Sequence, residues 1–253
     1  MSRRGQRGVA VVTAILIVAV AASAAVYLLA QQSAMLSQVS LVASRAQADF
    51  YADAGLDWAR ALLAEDARRN AVDTLAEDWS KPLVGLPVER AVVSGAIADA
   101  QARFNLNNLV RDGRSSEPDV RHFRRLLAAL GLEEDLAHAV ADWIDADGDL
   151  AGPGGAEDAF YLALPRPHRA ANRPLAQVEE LYRVRGFDAA AVARLRPHVT
   201  ALPARTPVNA NTATVEVMAA LLAPMDRGDV QRLLASREAK PFRDKADLAG
   251  RAT

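Results

Sequence analysis

No cysteine occurs in the 253 residues, so the chain holds neither a disulfide framework nor a thiolate metal site. Lysine is nearly absent: Lys81, Lys240 and Lys245 are the three among 30 basic residues, a bias of genome composition rather than of function. An excess of one charge is also lacking. Thirty basic residues stand against 31 acidic ones, whereas a general nucleic-acid binder carries a basic surface. Proline is missing from residue 1 to residue 81, so nothing over that stretch forces a helix to break. Also missing are HExxH, GxSxG, the phosphate loop GxxxxGKS/T and GxGxxG. The four histidines, His122, His138, His168 and His198, are scattered. His122 and His138 fall on helical patterns and are expected at the surface or its edge. With 51% apolar and 24% charged residues the composition is that of an ordinary globular protein. That excludes a mainly disordered chain and a multi-span membrane protein, and the length suits one large domain or two small ones.

The N-terminus is the most informative segment present. Residues 1–8 read MSRRGQRG, with three arginines and no acid, and Val9–Ala30 follows as 22 residues without a charge. As a helix those residues span about 33 Å, enough for a ~30 Å hydrocarbon layer. The basic flank then stays cytoplasmic and the rest of the chain lies outside. A plain signal anchor fits this pattern. So does a cleaved secretory signal, with Ala21–Ala25 as its small-residue site, although such signals have apolar cores of only ~7–15 residues. Beyond Ala30, Met35, Val39, Val42, Ala46, Phe50, Ala54, Trp58 and Leu62 recur every three or four residues, one stripe of a long helix from about Val9 to about Ala67.

RGVAVVTAILIVAVAASAA resembles a type IV prepilin leader with its transmembrane helix. The resemblance implies cleavage between Gly8 and Val9 by a prepilin peptidase, followed by methylation of the new amine. The mature chain would then carry 27 basic and 31 acidic residues, a net charge of −4. Most pilins have Glu at the fifth mature position, and here that position is Thr13. A carboxylate in lipid is costly unless paired, and in pilins it pairs with a neighbour's N-terminal amine. A subunit without it need not dock beneath an earlier one, which suits the first subunit at a tip.

Pro82 and Pro87 end the helical pattern. Two strands are expected, Val88–Ser94 and Ile97–Asn105, turning at Ser94-Gly95, with Phe104, Leu106 and Leu109 packing on the long helix. FNLNNL (Phe104–Leu109) reads physically as a strand ending in an Asn-rich turn. It also resembles the type II secretion minor pseudopilin called general secretion pathway protein K. From Pro118 the pattern is helical. One helix is closed by Gly131. Another has Leu136, Val140, Trp143 and Ile144 inward. After a loop, a further series begins near Leu175, with Leu175, Val178, Leu181, Tyr182 and Val184 on one face. Asp188 caps the helix after that. Asn211 or Thr212 starts the next, with Val215, Met218, Leu221 and Leu222 inward. Short helices over 229–236 and 245–249 end the chain.

Asp142, Asp145, Asp147, Asp149, Glu157 and Asp158 lie within 17 residues that contain no Lys or Arg. Carboxylates so gathered repel one another unless a cation screens them, and oxygen donors on a Gly-rich loop suit Ca²⁺. Asp145-Ala-Asp147-Gly-Asp149 resembles the start of an EF-hand loop but departs from it, with Ala156 where the bidentate Glu belongs. A solvated acidic loop is the plain alternative. Protein K relatives carry a DWxDxD…GAED pattern here, and that resemblance implies calcium at these six positions. Asp142, on the preceding helix, could equally serve as a brace.

A rival reading comes from VNANTA, LLASREAKPF and DL, which look like a helix-hairpin-helix DNA-binding unit. Such hairpins hold phosphate on backbone amides, and here Asp226 and Asp229 would repel it. Catalysis lacks a motif, and the acids gather on one loop instead of facing each other across a cleft.

The expected fold is α+β: a pilin-like long N-terminal helix, a small antiparallel sheet and a large inserted all-α domain. Its expected parts are a leader (1–8), a transmembrane half-helix (9–30), the rest of a pseudopilin core (31–110) and a helical domain (111–253). Relatives continue into a C-terminal strand that completes the sheet, whereas this chain stops at RDKADLAGRAT. The resemblance implies a non-enzymatic minor pseudopilin at the pseudopilus tip. It would be anchored by one span in the bacterial inner membrane, with its C-terminal domain in the periplasm. Its partners would be minor pseudopilins I and J, the prepilin peptidase, and a secreted substrate or the outer-membrane channel, with no nucleic acid.

Overall fold

The computed structural model describes residues 4–89 and 91–252, with side chains described from Val9 onward. Residues 1–3 of the expected leader lie outside that part. The first helix, α1, runs unbroken over Arg4–Arg69, about 99 Å at ~1.5 Å per residue. Its length follows from the missing proline. Its end is favoured by Arg68 and Arg69 in the last turn, where cations suit the helix dipole.

One compact unit comprises α1 up to Leu62 together with Val84–Val93. It contains most of a two-stranded sheet, β1 (Leu83–Val88) with β2 (Ala91–Gly95). The strand pair therefore starts earlier than expected and turns at Glu89, which adopts a left-handed φ of 49°. Gly95 ends β2 instead of turning the hairpin. The expected strand over 97–105 is reduced to Phe104–Asn105.

The other unit comprises Leu63–Leu83 and the chain from Ser94. Its elements are β3 (Phe104–Asn105), β4 (Val110–Arg111), β5 (Arg114–Ser115), α2 (Glu117–Ala129), α3 (Leu136–Ile144), α4 (Asp158–Leu162), α5 (Ala189–Leu195), β6 (Val199–Thr200), α6 (Val215–Leu221), α7 (Arg227–Ala239) and α8 (Lys245–Arg251). This unit is helix-rich but not all-α. β3 pairs in parallel with β6, and β4 pairs antiparallel with β5. α2 packs against α3 and α6, and α6 against α7.

Phe104, Leu106 and Leu109 were expected on the long helix. They belong instead to this unit's own core, where Phe104 stacks on Phe123 with ring centroids 5.5 Å apart. Trp143 meets Tyr161 edge-on at 5.0 Å. Gly131, at φ 67°, closes α2 as expected. The series after Leu175 is 3₁₀, Val178–Arg183, rather than α. Leu175, Leu181 and Val184 are buried, but Tyr182 is 54% exposed, because a tighter winding rotates it off that face. Asp188 caps α5 by accepting from Ala191 N. Thr214, not Asn211 or Thr212, caps α6. This later start buries Val217 and Met218 and leaves Val215, Leu221 and Leu222 only partly covered.

Candidate functional site

The acidic loop joins α3 to α4. Asp142 and Asp145 are three residues apart near the end of α3, a spacing that puts both on one face. Glu157 holds the N-cap position of α4 with no capping bond from its side chain, and Asp158 is the helix's first residue. Between them the chain folds back onto α3. Gly154 adopts a left-handed φ of 80°, and a Cβ on Gly155 would run into Asp142 Oδ2. His138, expected near the surface, is buried there, with Nδ1 2.7 Å from the Pro153 carbonyl. A carbonyl only accepts, so Nδ1 carries the proton.

Asp142, Asp145 and Glu157 are 0%, 2% and 8% exposed. Asp142 Oδ1 accepts from Ala151 N at 2.8 Å. Asp142 Oδ2, Asp145 Oδ1 and Glu157 Oε1 are buried with no hydrogen-bond partner. Buried acceptors are nearly always satisfied, so three such oxygens around one loop are placed to take a proton or a cation. Burial, then the negative neighbours Asp147 and Asp142, pushes the Asp145 carboxyl up to about 7. Burial and the acids Asp142, Asp145, Asp147 and Asp158 push Glu157 up to about 7 as well. Asp142 is also raised, mainly by burial.

The six acids are not equivalent. Asp147 is half-buried at the rim and accepts from Asp149 N at 3.1 Å, while Asp149 is exposed. Asp158 has other work: it accepts from Ala170 N at 3.0 Å and pairs with Arg169 at 2.8 Å. The donor set is all oxygen, which suits a hard divalent cation. A tighter acidic set lies elsewhere, in Asp66, Asp73 and Glu77, whose ligand atoms fall within 4.8 Å of one another. Among the described residues no three of the loop acids close to that spacing. The tighter set is nevertheless the weaker candidate. Asp73 is exposed, and Glu77 already accepts from Trp79 Nε1 at 2.6 Å and Thr74 N at 3.2 Å.

The raised carboxyls set a pH dependence for the metal-free protein. Their folded-state values lie above the ordinary 3.8 and 4.5, so the folded state binds more protons than the unfolded chain between about pH 4 and pH 7. Their stabilising contribution is whole below about pH 4 and lost as pH rises through about 7. Chelated protein is therefore expected to melt several degrees lower at about pH 8 than at about pH 5. The double variant Asp145→Asn/Glu157→Gln should flatten that slope in a thermal melt.

The long helix offers a second functional surface. Among the described residues, it is the one helix apolar and long enough to cross a membrane. Thr13 Oγ1 donates to the Val9 and Ala10 carbonyls at 2.8 and 3.0 Å, so its hydroxyl is satisfied within its own helix and brings no charge into lipid. Past the span, Met35, Val39, Val42, Phe50 and Trp58 remain exposed, each by more than half.

Two family models, both described as type II secretion system protein K, match residues 102–204 and 208–253. The type II secretion system protein K of Pseudomonas aeruginosa is 39% identical over 97% of this chain and 77% of that protein. That of Pectobacterium carotovorum is 36% identical over 84% of this chain and 68% of that protein. This chain belongs to the type II secretion system protein K family. A chain of the crystal structure of the GspK-GspI-GspJ complex from enterotoxigenic Escherichia coli superposes with a TM-score of 0.69. The two are 31% identical, over 80% of this chain and 73% of that one.

The first protein K match spans FNLNNL, and here the structure adds what the sequence reading missed. Asn107 Nδ2 donates to the Leu175 and Leu202 carbonyls, both at 2.9 Å, while its Oδ1 accepts from Leu175 N at 2.8 Å. Asn105 joins Leu202 N and the Ala204 carbonyl. Asn108 joins Thr206 N and the Thr206 carbonyl. The three asparagines are thus a polar rivet between distant segments. A buried polar motif beside buried leucines was the available signal.

The second match spans α6–α8, the region of the helix-hairpin-helix rival. Asp226 caps α7 by accepting from Asp229 N at 2.7 Å. That cap places a carboxylate where a phosphate-binding hairpin needs free amides.

Proposed function

We propose that this protein is a minor pseudopilin at the tip of a type II secretion pseudopilus, where it nucleates assembly and supports export of folded proteins across the outer membrane. The observation that carries the reading is α1, an uncharged span continuous with an apolar stripe that the chain leaves uncovered. Before assembly the span holds the protein in the bacterial inner membrane, with the C-terminal domain in the periplasm. A prepilin peptidase removes residues 1–8 at Gly8-Val9, and the new amine is methylated. The stripe then packs in coiled-coil fashion against the helices of minor pseudopilins I and J. The solved relative is a complex of three such named components, which supports this choice of partners.

Thr13 has no carboxylate to offer an older subunit's amine, so nothing requires a subunit above it. The helical unit faces outward from the tip, toward secreted proteins or the outer-membrane channel. Its acidic loop binds calcium, with Asp142, Asp145 and Glu157 as the inner donors and Asp147 at the rim. Bound calcium supplies the positive charge that the orphan oxygens lack and fixes the loop to α3. The role is assembly rather than catalysis.

Intact-mass and N-terminal analysis of protein extracted from a peptidase-positive bacterium tests the anchor. The expected species begins at Val9 with a methylated amine, and Gly8→Asp leaves the leader attached. A chain beginning near Ala25 would overturn the reading.

A further inference from the structure

A cavity of about 1140 Å³ opens in the helical unit beside the acidic loop but is lined with the opposite charge. Arg166, Arg169, Arg173, Arg183 and Arg185 line it against a single acid, Glu180, on a chain whose net charge is only −1. Three of those arginines are engaged. Arg169 pairs with Asp158 at 2.8 Å and Arg173 with Glu180 at 3.0 Å. Arg185 donates to the Gly155 carbonyl at 2.9 Å and lies over the Phe160 ring at 4.7 Å. Arg166 and Arg183 are exposed and, among the described residues, neither has a carboxylate partner.

The rest of the wall mixes aromatic rings with aliphatic residues such as Leu164, Pro165 and Val184. Trp143, Phe160, Tyr161, His168 and Tyr182 line the same space. The Trp143 indole nitrogen and His168 Nε2 are buried without hydrogen-bond partners. An indole N–H can only donate, so what it lacks is an acceptor. Apolar faces, an indole donor without an acceptor and two guanidiniums without carboxylate partners share one concave surface. That combination matches a chain segment bearing both carboxylates and apolar side chains, since guanidinium binds carboxylate with directional hydrogen bonds. The cavity's size slightly exceeds the ~300–1,000 Å³ usual for small-molecule sites, which favours a segment over a single small acid.

We propose that this cavity binds an acidic polypeptide segment of a protein partner, with Arg166 and Arg183 taking its carboxylates and the aromatic wall its apolar side chains. The cavity adjoins the acidic loop through Arg169 and Arg185, so calcium is held constant in the test. Full-length protein in detergent micelles is titrated, by fluorescence anisotropy, into a short labelled peptide of Glu, Asp and Phe. A counterpart with Gln and Asn in place of the acids is titrated alongside.

The acidic peptide should bind at least about tenfold more tightly than its neutral counterpart, a preference that falls with salt. Arg166→Glu/Arg183→Glu should weaken binding by at least about tenfold. Arg125→Glu/Arg243→Glu, which changes net charge equally at exposed positions elsewhere, should leave it within about twofold. Equal binding of both peptides, or equal loss in both double variants, would overturn the proposal. So would displacement of the peptide by free glutarate at an equal concentration, since that would make the site one for small acids.

Discussion

Replacing Asn107 with alanine is expected to lower the melting temperature by on the order of 10 °C. Asn107 is 8% exposed and uses both its donor and its acceptor capacity on backbone groups of Leu175 and Leu202. Alanine strands the Leu175 amide and carbonyl away from water and leaves the Leu202 carbonyl only a long bond of 3.5 Å from Asn105 Nδ2. Each buried polar group left unmade costs about 1–3 kcal/mol. Partial rehydration lowers the sum, and about 3–5 kcal/mol remains. At roughly 2–4 °C per kcal/mol for a protein of this size, the shift exceeds that of an ordinary surface change. Asn107→Asp separates hydrogen bonding from packing. Aspartate has the same shape but sets an oxygen against two carbonyls, so it should destabilise at least as much as alanine at neutral pH. An aspartate variant that melts like the parent would show that the rivet holds by shape alone.

Withdrawing calcium should produce the other large effect. With free ion at about a hundred times its dissociation constant, binding stabilises the folded state by about 2.7 kcal/mol. That corresponds to a melting temperature about 5–10 °C higher than in excess chelator. Asp145→Asn/Glu157→Gln should reverse the order of the metal-free proteins. Without the two buried charges, the apo variant has less repulsion to bear and should melt above the apo parent. It should then gain nothing from calcium. A structural acidic loop with no ion predicts a parent curve that chelator does not move.

The sequence makes some of this architecture legible and hides the rest, for reasons that differ by element. α1 could be read to within a few residues, because an uncharged run, a periodic stripe and the absence of proline all act locally. The caps Asp188 and Gly131 were equally readable, since each works within one turn. The strand pair was displaced because its turn uses Glu89 at positive φ, where Ser94-Gly95 has the stronger turn chemistry. The placing of Phe104 failed because its partner, Phe123, is set by packing and not by spacing. At the acidic loop, sequence located the six carboxylates. Only the fold separates the buried Asp142, Asp145 and Glu157 from Asp158, which ties the loop to Arg169 and Ala170. The arginines of the cavity look like scattered surface charges in one dimension, and they converge only when the segment 163–173 lies against the 3₁₀ turn at Val178–Arg183.

The central claim is that the exposed stripe of α1 is the surface by which this subunit joins its companions. Co-expression with tagged minor pseudopilins I and J of the same bacterium, followed by detergent extraction and affinity capture, tests it directly. The parent should co-purify with both. Val42→Glu/Phe50→Glu/Trp58→Glu, at positions 67%, 68% and 51% exposed in the chain by itself, should be lost from the capture while reaching the membrane in normal amount. Undiminished capture of that triple variant, or failure of the parent to be captured at all, would contradict the account.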